Sequence, residues 1–344
     1  MRISHVSGPI PLPSMPRVSP FSEHLPVRGV HIDWLFEADG IGFTRWTCCE
    51  GACAPSAAKQ QHHYVIGFLH AGSFAVETPR GSAVADPNSV VLLQPGEPYR
   101  TIHPHGCGDR GSALVLSHDL ASELLATNAP RAFDRAGVSF PSVGISVAPD
   151  LYFLHRVAVA RLAGPAGAAD ALEIEEIGLR AAGHLVRKAG KGASRETPRS
   201  ARERPSTRES RRARIETVRG LLNERFRERV VLADLGRAVG CSPYHLCRSF
   251  RRETGVPLHR YLNRLRLRAA IETAADPGAD LTDLALDSGF SSHSHFTAAF
   301  RREFSFPPTG LRRLVRGRRG LAELLRGLPR EAEAERRARR SALA

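Results

Sequence analysis

Residues 281–307 read LTDLALDSGFSSHSHFTAAFRREFSFP, and residues 232–257 read LADLGRAVGCSPYHLCRSFRRETGVP. The second stretch in the chain repeats the first. Leu232, Asp234, Leu235 and Gly240 recur 49 residues later as Leu281, Asp283, Leu284 and Gly289. One residue is then inserted, and Ser242, Phe250, Arg251, Arg252, Glu253 and Pro257 recur 50 later as Ser292, Phe300, Arg301, Arg302, Glu303 and Pro307. Each copy spells a short helix, a tight turn and a second helix. Gly240 and Gly289 stand where the first helix must end, a place that favours left-handed backbone. Ser242 followed by Pro243 is an N-cap with proline at the first helical position; Ser291 or Ser292 takes that part in the second copy. Leu246 with Phe250, and Phe296 with Phe300, are spaced four apart and point inward.

The residues just after each cap therefore point outward from the front of the second helix. A helix-turn-helix presents its reading residues to the DNA major groove in this way. The stretch PLHRYLNRLRLRAAIETA (257–274) supplies a helical spacer between the copies. A spacing near one DNA turn, about 34 Å, would let both second helices enter successive grooves on one face of the duplex.

Charge points the same way. The chain carries 49 Lys and Arg against 35 Asp and Glu, a net of +14. Residues 1–150 hold 10 basic and 13 acidic residues, a net of −3, whereas 211–316 hold 20 and 11, a net of +9. Codon bias accounts for arginine over lysine, but not for an excess confined to one half; a polyanion partner for the second half does. No run of 18 apolar residues exists, so a membrane span is not expected. The proline-broken start lacks a signal core, and the sequence reads as cytoplasmic, with reduced thiols.

The C-terminal region resembles the DNA-binding domain of the arabinose-regulator (AraC/XylS-type) family of bacterial transcription regulators. Arg266, Leu267 and Ala269 or Ala270 match the family's linker-helix pattern. Ala285, Gly289, Phe290, Ser292, Phe296, Phe300, Arg301 and Pro308 match its second motif. Gly236, Ser305 and Leu311 depart from the usual alanine, glycine and aromatic. The resemblance implies base contacts from Tyr244, Cys247 and Arg248, and from His293, Ser294 and His295, with Ala298 too short to reach. Arg248 suits a bidentate guanine contact. Arg251, Arg252, Arg301 and Arg302 lie past the anchoring phenylalanines and fit phosphates or acidic side chains. The implied partners are double-stranded promoter DNA and RNA polymerase, and the implied function is sequence-specific regulation, as an activator.

Residues 28–118 contain short β-like runs such as VHIDWLF, HYVIGFL and SVVLLQPG, broken by turns. Such spacing predicts a small sandwich or barrel. A hydrophobic strand, a Pro-Gly-Glu turn and a return strand resemble the cupin-like sensor barrels that precede many domains of this kind. In such a barrel a small effector binds in the lumen, and strand placement offers Arg45, His62, Tyr64, Tyr99, Arg100, His103 and His105. A packed, ligandless barrel is equally compatible. A metal-dependent cupin enzyme needs His-x-His and a late histidine. Here His62 and His63 are adjacent, so they point to opposite faces, and Tyr99 stands at the late position. No catalytic residue, cofactor or metal centre is therefore assigned. Cys48, Cys49, Cys53 and Cys107, with His103 and His105, leave open a zinc site, a thiol sensor or thiols without a role.

The expected fold class is thus α+β: a cupin-like β-barrel with a helical dimerisation segment, then an all-α domain with two helix-turn-helix motifs. Along the chain this gives a leader (1–27), an effector and dimerisation domain (28–190), a basic linker (191–210), the DNA-binding domain (211–316) and a basic tail (317–344). Leu172, Ile174, Ile177, Leu179 and Leu185 form an apolar face that either pairs two copies into a homodimer or covers the barrel.

Overall fold

A computed structural model describes residues 29–38, 40–48, 55–103, 108–130, 138–164, 170–193, 205–274 and 280–310. The leader, the tail, most of the expected linker (194–204), and Cys49, Cys53, His105, Cys107 and Leu311 lie outside these residues.

The N-terminal half is built from antiparallel strands in two sheets. Strands β1 (Val30–Ala38), β2 (Ile41–Cys48), β4 (Tyr64–Ala71), β7 (Ser89–Leu93), β9 (Arg110–Leu116) and β10 (Gly144–Ser146) form the larger sheet, in the order β1-β2-β9-β4-β7-β10. Strands β3 (Lys59–Gln60), β5 (Phe74–Thr78), β6 (Gly81–Ala85) and β8 (Pro98–Ile102) form the smaller one, in the order β3-β8-β5-β6. The pairings of the described strands leave two separate sheets, so the expected barrel is observed as a two-sheet arrangement. The Pro-Gly-Glu turn connects β7 to β8. Its Glu97 receives a bidentate bond from Arg80, at 2.8 Å from Nε and 2.6 Å from Nη2, and Arg80 also donates to the carbonyls of Leu92 and Phe140.

Helices α1 (His118–Asn128), α2 (Pro149–Leu162) and α3 (Ala171–Ala193) pack on the larger sheet. The apolar stripe offered above for pairing is largely consumed there. Ile174, Ile177 and Leu185 are fully buried against Ile41 and Phe43 and their neighbours, and Leu179 is partly buried; only Leu172 stays exposed, at 75%. Gly178 permits the approach, since a Cβ on it would lie 2.5 Å from Ile41. The helix covers the sheet.

The C-terminal half is helical throughout: α4 (Pro205–Arg225), α5 (Leu232–Ala238), α6 (Pro243–Thr254), α7 (Leu258–Ala274), α8 (Leu281–Asp287) and α9 (His293–Phe304). Residues 205–210, placed in the linker on composition, form the first turns of α4. The turns between short and long helices obey the backbone expectation: Gly240 has φ 64° and Gly289 φ 86°. Gly289 is doubly constrained, because a Cβ there would lie 2.7 Å from the Phe226 carbonyl oxygen. Gly236 is similar. A Cβ would meet the Cys241 carbonyl oxygen at 2.7 Å, which explains why alanine is absent here while its counterpart, Ala285, is accommodated and buried.

Two cores hold this half. Val218, Leu222, Leu235, Leu246, Phe250 and Tyr261 enclose one around the first copy. Leu284, Phe296, Phe300 and Phe304 belong to the core that runs on into α2 and the larger sheet. Helix α7 serves both, giving Leu258, Tyr261 and Leu265 to the first and Leu267, Ala270 and Ile271 to the second.

Candidate nucleic-acid interface and effector cavity

Each long helix of the two copies starts on a serine. The Ser242 hydroxyl accepts from the His245 amide at 3.3 Å and Ser292 from that of His295 at 3.1 Å, each satisfying an amide that the first helical turn leaves unpaired. Pro243 occupies the first turn of α6. Asp280 caps α8 by accepting from the Thr282 and Asp283 amides, which holds its carboxyl below the usual range. The sequence reading passed over this cap because Val231, at the matching place in the first copy, has no side chain able to do it.

With the anchors buried, the opposite faces stand in solvent. Leu246, Phe250, Phe296 and Phe300 are at most 1% exposed, whereas Tyr244 is 76% exposed. Arg248, Arg251 and Arg252 are exposed on α6, and His293, Ser294, His295, Ala298, Arg301 and Arg302 on α9; Cys247 is half-buried. Tyr244, Cys247, Arg248, Arg251 and Arg252 line one groove of about 940 Å³ beside α7. On α9 the imidazole of His295 is held in place, its Nδ1 3.1 Å from the Ser291 hydroxyl and its ring edge-on to Phe290.

The repeated glutamates fix the two helices. Glu253 accepts from Arg211 of α4 at 2.5 Å; Glu303 accepts from Arg264 at 2.5 Å and Arg260 at 3.3 Å, both on α7. Helix α4 therefore stands to the first copy as α7 stands to the second. That correspondence is visible in the sequence as Arg211 and Arg260, 49 apart, but arginine-rich polar text hid it. Arg266, in the linker-helix pattern, bonds the Phe226 carbonyl at 2.7 Å and the Glu228 carbonyl at 2.8 Å, closing the chain just past α4.

The N-terminal half contains a cavity of about 510 Å³, within the range of small-molecule pockets, lined from both sheets by Trp34, Trp46, Val91, Phe74, Tyr99 and Thr101, among others. Of the expected effector residues, His62, Tyr99 and His103 line it. Arg45, Tyr64 and Arg100 do not. Strand residues alternate faces, so Arg45 points away and pairs with Asp33 at 2.8 Å. Arg100 is turned outward between Tyr99 and Thr101. Tyr64 faces the helical side, donating to the Val138 carbonyl at 2.6 Å. Thr101, Gln61 and Lys59, polar lining residues, were missed because nothing short of strand register shows which face they take.

The two halves meet through buried polar contacts. Asp86, wholly buried, accepts from Arg219 of α4 at 2.8 and 3.0 Å and from the Tyr261 hydroxyl of α7. Arg268 of α7 bonds the carbonyls of Pro87 and Val147 and lies over the Tyr152 ring, 4.4 Å from its centroid. Glu272 accepts from Arg156 of α2 at 2.6 and 2.7 Å. Behind Arg156 stand His70, Ser112 and His155, with the serine hydroxyl 2.8 and 2.7 Å from the two rings. Burial holds both histidines well below the usual range, with Arg156 adding to the effect.

Residues 235–314 match the family model described as "Helix-turn-helix domain". Over 100 residues the chain is 35% identical to the HTH-type transcriptional activator RhaS of Escherichia coli, covering 29% of this chain and 36% of that protein; the figures for RhaS of Enterobacter sp. (strain 638) are the same. The chain thus spans about a third of the length of these relatives. Among solved structures, an AraC-type transcriptional regulator from Chromobacterium violaceum is 24% identical, with TM-score 0.29, over 31% of this chain and 96% of that one. ToxT from Vibrio cholerae is 12% identical, with TM-score 0.31, over 84% and 100%. Residues 235–314 of the chain form a helix-turn-helix domain. No helix among the described residues is long and apolar enough to cross a membrane.

Proposed function

We propose that the chain is a sequence-specific regulator of transcription, an activator, that reads double-stranded promoter DNA with both copies of the repeated unit and answers to a small effector in the cupin-like N-terminal half. The observation that carries the reading is the paired front end: two serine-capped helices, one anchored by buried Leu246 and Phe250 and the other by buried Phe296 and Phe300, each exposing polar side chains past its cap and arginines further along. Arg248, Tyr244 and Cys247 read bases from α6, and His293, Ser294 and His295 from α9. Arg251, Arg252, Arg301 and Arg302 take phosphates. RNA polymerase is the protein partner of such an activator.

The effector's place in this reading is the 510 Å³ cavity, with His62, Tyr99 and His103 as its polar contacts. Its influence reaches the DNA-binding helices through α7, which Asp86, Pro87 and Arg156 grip from the N-terminal side. A homodimer stays part of the reading, but it would pair through a surface other than the α3 face, which is spent on the sheet apart from the exposed Leu172.

Selection of bound fragments from genomic DNA by the full-length chain tests the reading; an enriched, bipartite sequence is the expected result, and no enrichment over random DNA would refute it. Arg248→Ala is expected to lose discrimination at one or two base pairs, about 1–3 kcal/mol each. Equal weakening on every sequence would instead make Arg248 a phosphate contact.

A further inference from the structure

At one end of the cavity the two sheets bring together three buried side chains that are far apart in the sequence. Cys48 is the last residue of β2, His103 follows the end of β8, and Asp109 precedes β9. They are 4%, 4% and 2% exposed. The Cys48 amide donates to the Asp109 carbonyl at 2.8 Å, which pins the two strand ends together. The side chains then converge: His103 Nε2 is 3.7 Å from Cys48 Sγ and 3.0 Å from Asp109 Oδ2. One donor atom from each residue lies within 4.8 Å of the other two.

The arrangement resembles a nucleophile–base–carboxylate relay in composition only. A relay needs the thiol on one imidazole nitrogen and the carboxylate on the other. Here both approach the same nitrogen, so three donors point at one place. Tetrahedral zinc with ordinary bond lengths would put sulfur and nitrogen about 3.6 Å apart, and nitrogen and oxygen about 3.3 Å apart. The observed separations lie close to both. Asp109 Oδ2 is buried, and apart from the His103 nitrogen at 3.0 Å, which does not meet it in hydrogen-bonding geometry, it has no polar partner, a costly state for a carboxylate that a cation would relieve. Gly72 makes room for it: φ there is 86°, and a Cβ would lie 1.8 Å from Asp109 Oδ1.

We propose that Cys48, His103 and Asp109 bind a divalent transition-metal ion of the zinc class. A thiolate, a neutral imidazole and a carboxylate around a doubly charged ion give a site of zero net charge, which suits its burial. Mixed sulfur, nitrogen and oxygen donors exclude calcium and magnesium, which take oxygen alone. Cys48 and His103 also line the cavity, so the fourth position opens toward it and takes water or a donor atom of a cavity ligand. The site stands on its own donors and does not depend on the chain being a regulator.

The test uses the full-length chain, purified without chelator, loaded with Zn²⁺ or Co²⁺ and dialysed. One ion per chain and a thiolate-to-cobalt charge-transfer band in the near ultraviolet are expected. Cys48→Ser and Asp109→Asn should each weaken the ion at least about 100-fold in competition with a chromophoric chelator, whereas Cys241→Ser should leave it in place. Less than about 0.2 ion per folded chain after loading would overturn the proposal. So would an unchanged affinity in folded Cys48→Ser and Asp109→Asn proteins. Should either variant fail to fold, the unmodified chain decides through its stoichiometry and cobalt band, and absence of that band overturns the proposal.

Discussion

The two copies of the helix-turn-helix unit share caps, turns and anchoring phenylalanines, yet different forces hold them in the molecule. The first copy closes its own core around Phe250 and Leu246, and meets the N-terminal half through polar groups, chiefly Asp86 with Arg219 and Tyr261. The second has no core of its own. Phe304 lies 5.5 Å from Phe153 of α2, ring centre to ring centre, and Phe306 lies 5.1 Å from it. Apolar contact is broad and non-directional, whereas a buried ion pair depends on every partner being present. The second copy is therefore fixed to the N-terminal half as one folded body, and the first is attached at a few points that can be undone separately.

The largest expected effects come from the anchors. Phe250→Ala and Phe300→Ala should each cost about 3–5 kcal/mol. They should differ in reach. Both tryptophans, Trp34 and Trp46, lie in the N-terminal half. Unfolding followed by tryptophan fluorescence should shift with Phe300→Ala and stay near the parent for Phe250→Ala, while far-ultraviolet circular dichroism registers both. Equal fluorescence shifts would erase the distinction between the copies.

Next comes the polar attachment. Asp86→Ala leaves Arg219 buried beside a missing partner and should destabilise by roughly 3 kcal/mol. Adding Arg219→Met should recover part of that loss, since two residues in contact do not act additively. Proteolysis of the double variant should then cut between the halves while α5 and α6 stay protected. If Asp86→Ala left stability unchanged, the first copy would be held by something other than this pair.

Acid offers a milder probe on the second copy's side. His70 and His155 are held neutral by burial, with folded values below the unfolded value of about 6.5. The unfolded chain therefore binds more protons as pH falls below about 6.5, and stability declines from there down to the folded values. Denaturant midpoints should drop between about pH 6.5 and 5. His155→Gln should flatten part of the slope; a slope unaltered by that substitution would assign the effect elsewhere.

How much of this was legible in the sequence follows the reach of each interaction. Gly240, Gly289, Ser242 and Ser292 act within one turn, so their spacing alone disclosed the repeat and its capped helices. The Asp86 contact joins residues 133 and 175 positions apart, and no local pattern marks it. The same holds for Cys48, His103 and Asp109, which only strand register brings to one point. Arg45 and Arg100 were misplaced because a strand's two faces differ by a single residue. In 205–210 the sequence misled: polar arginine-rich text reads as linker, but it forms the first turns of a helix whose buried apolar side begins at Ile215.

The smallest effect isolates one residue that differs between the copies. Gly255 and Ser305 end α6 and α9 in the same left-handed conformation, at φ 76° and 67°, and both amides reach back to an arginine carbonyl, at 2.9 and 2.8 Å. Glycine bears this conformation without a penalty; a residue with a Cβ pays about 1–2 kcal/mol. Ser305→Gly removes that cost but gains chain entropy in the unfolded state, about 0.5–1 kcal/mol against it. A net stabilisation of roughly 0.5 kcal/mol is expected, and Gly255→Ser should lose a similar amount. Because Ser305 joins α9 to Phe306, which packs on Phe153, the gain should show in tryptophan fluorescence as well as in circular dichroism. A gain seen by circular dichroism alone would mean that the second copy can tighten without the N-terminal half, and the shared core would then be a contact between two bodies and not one fold.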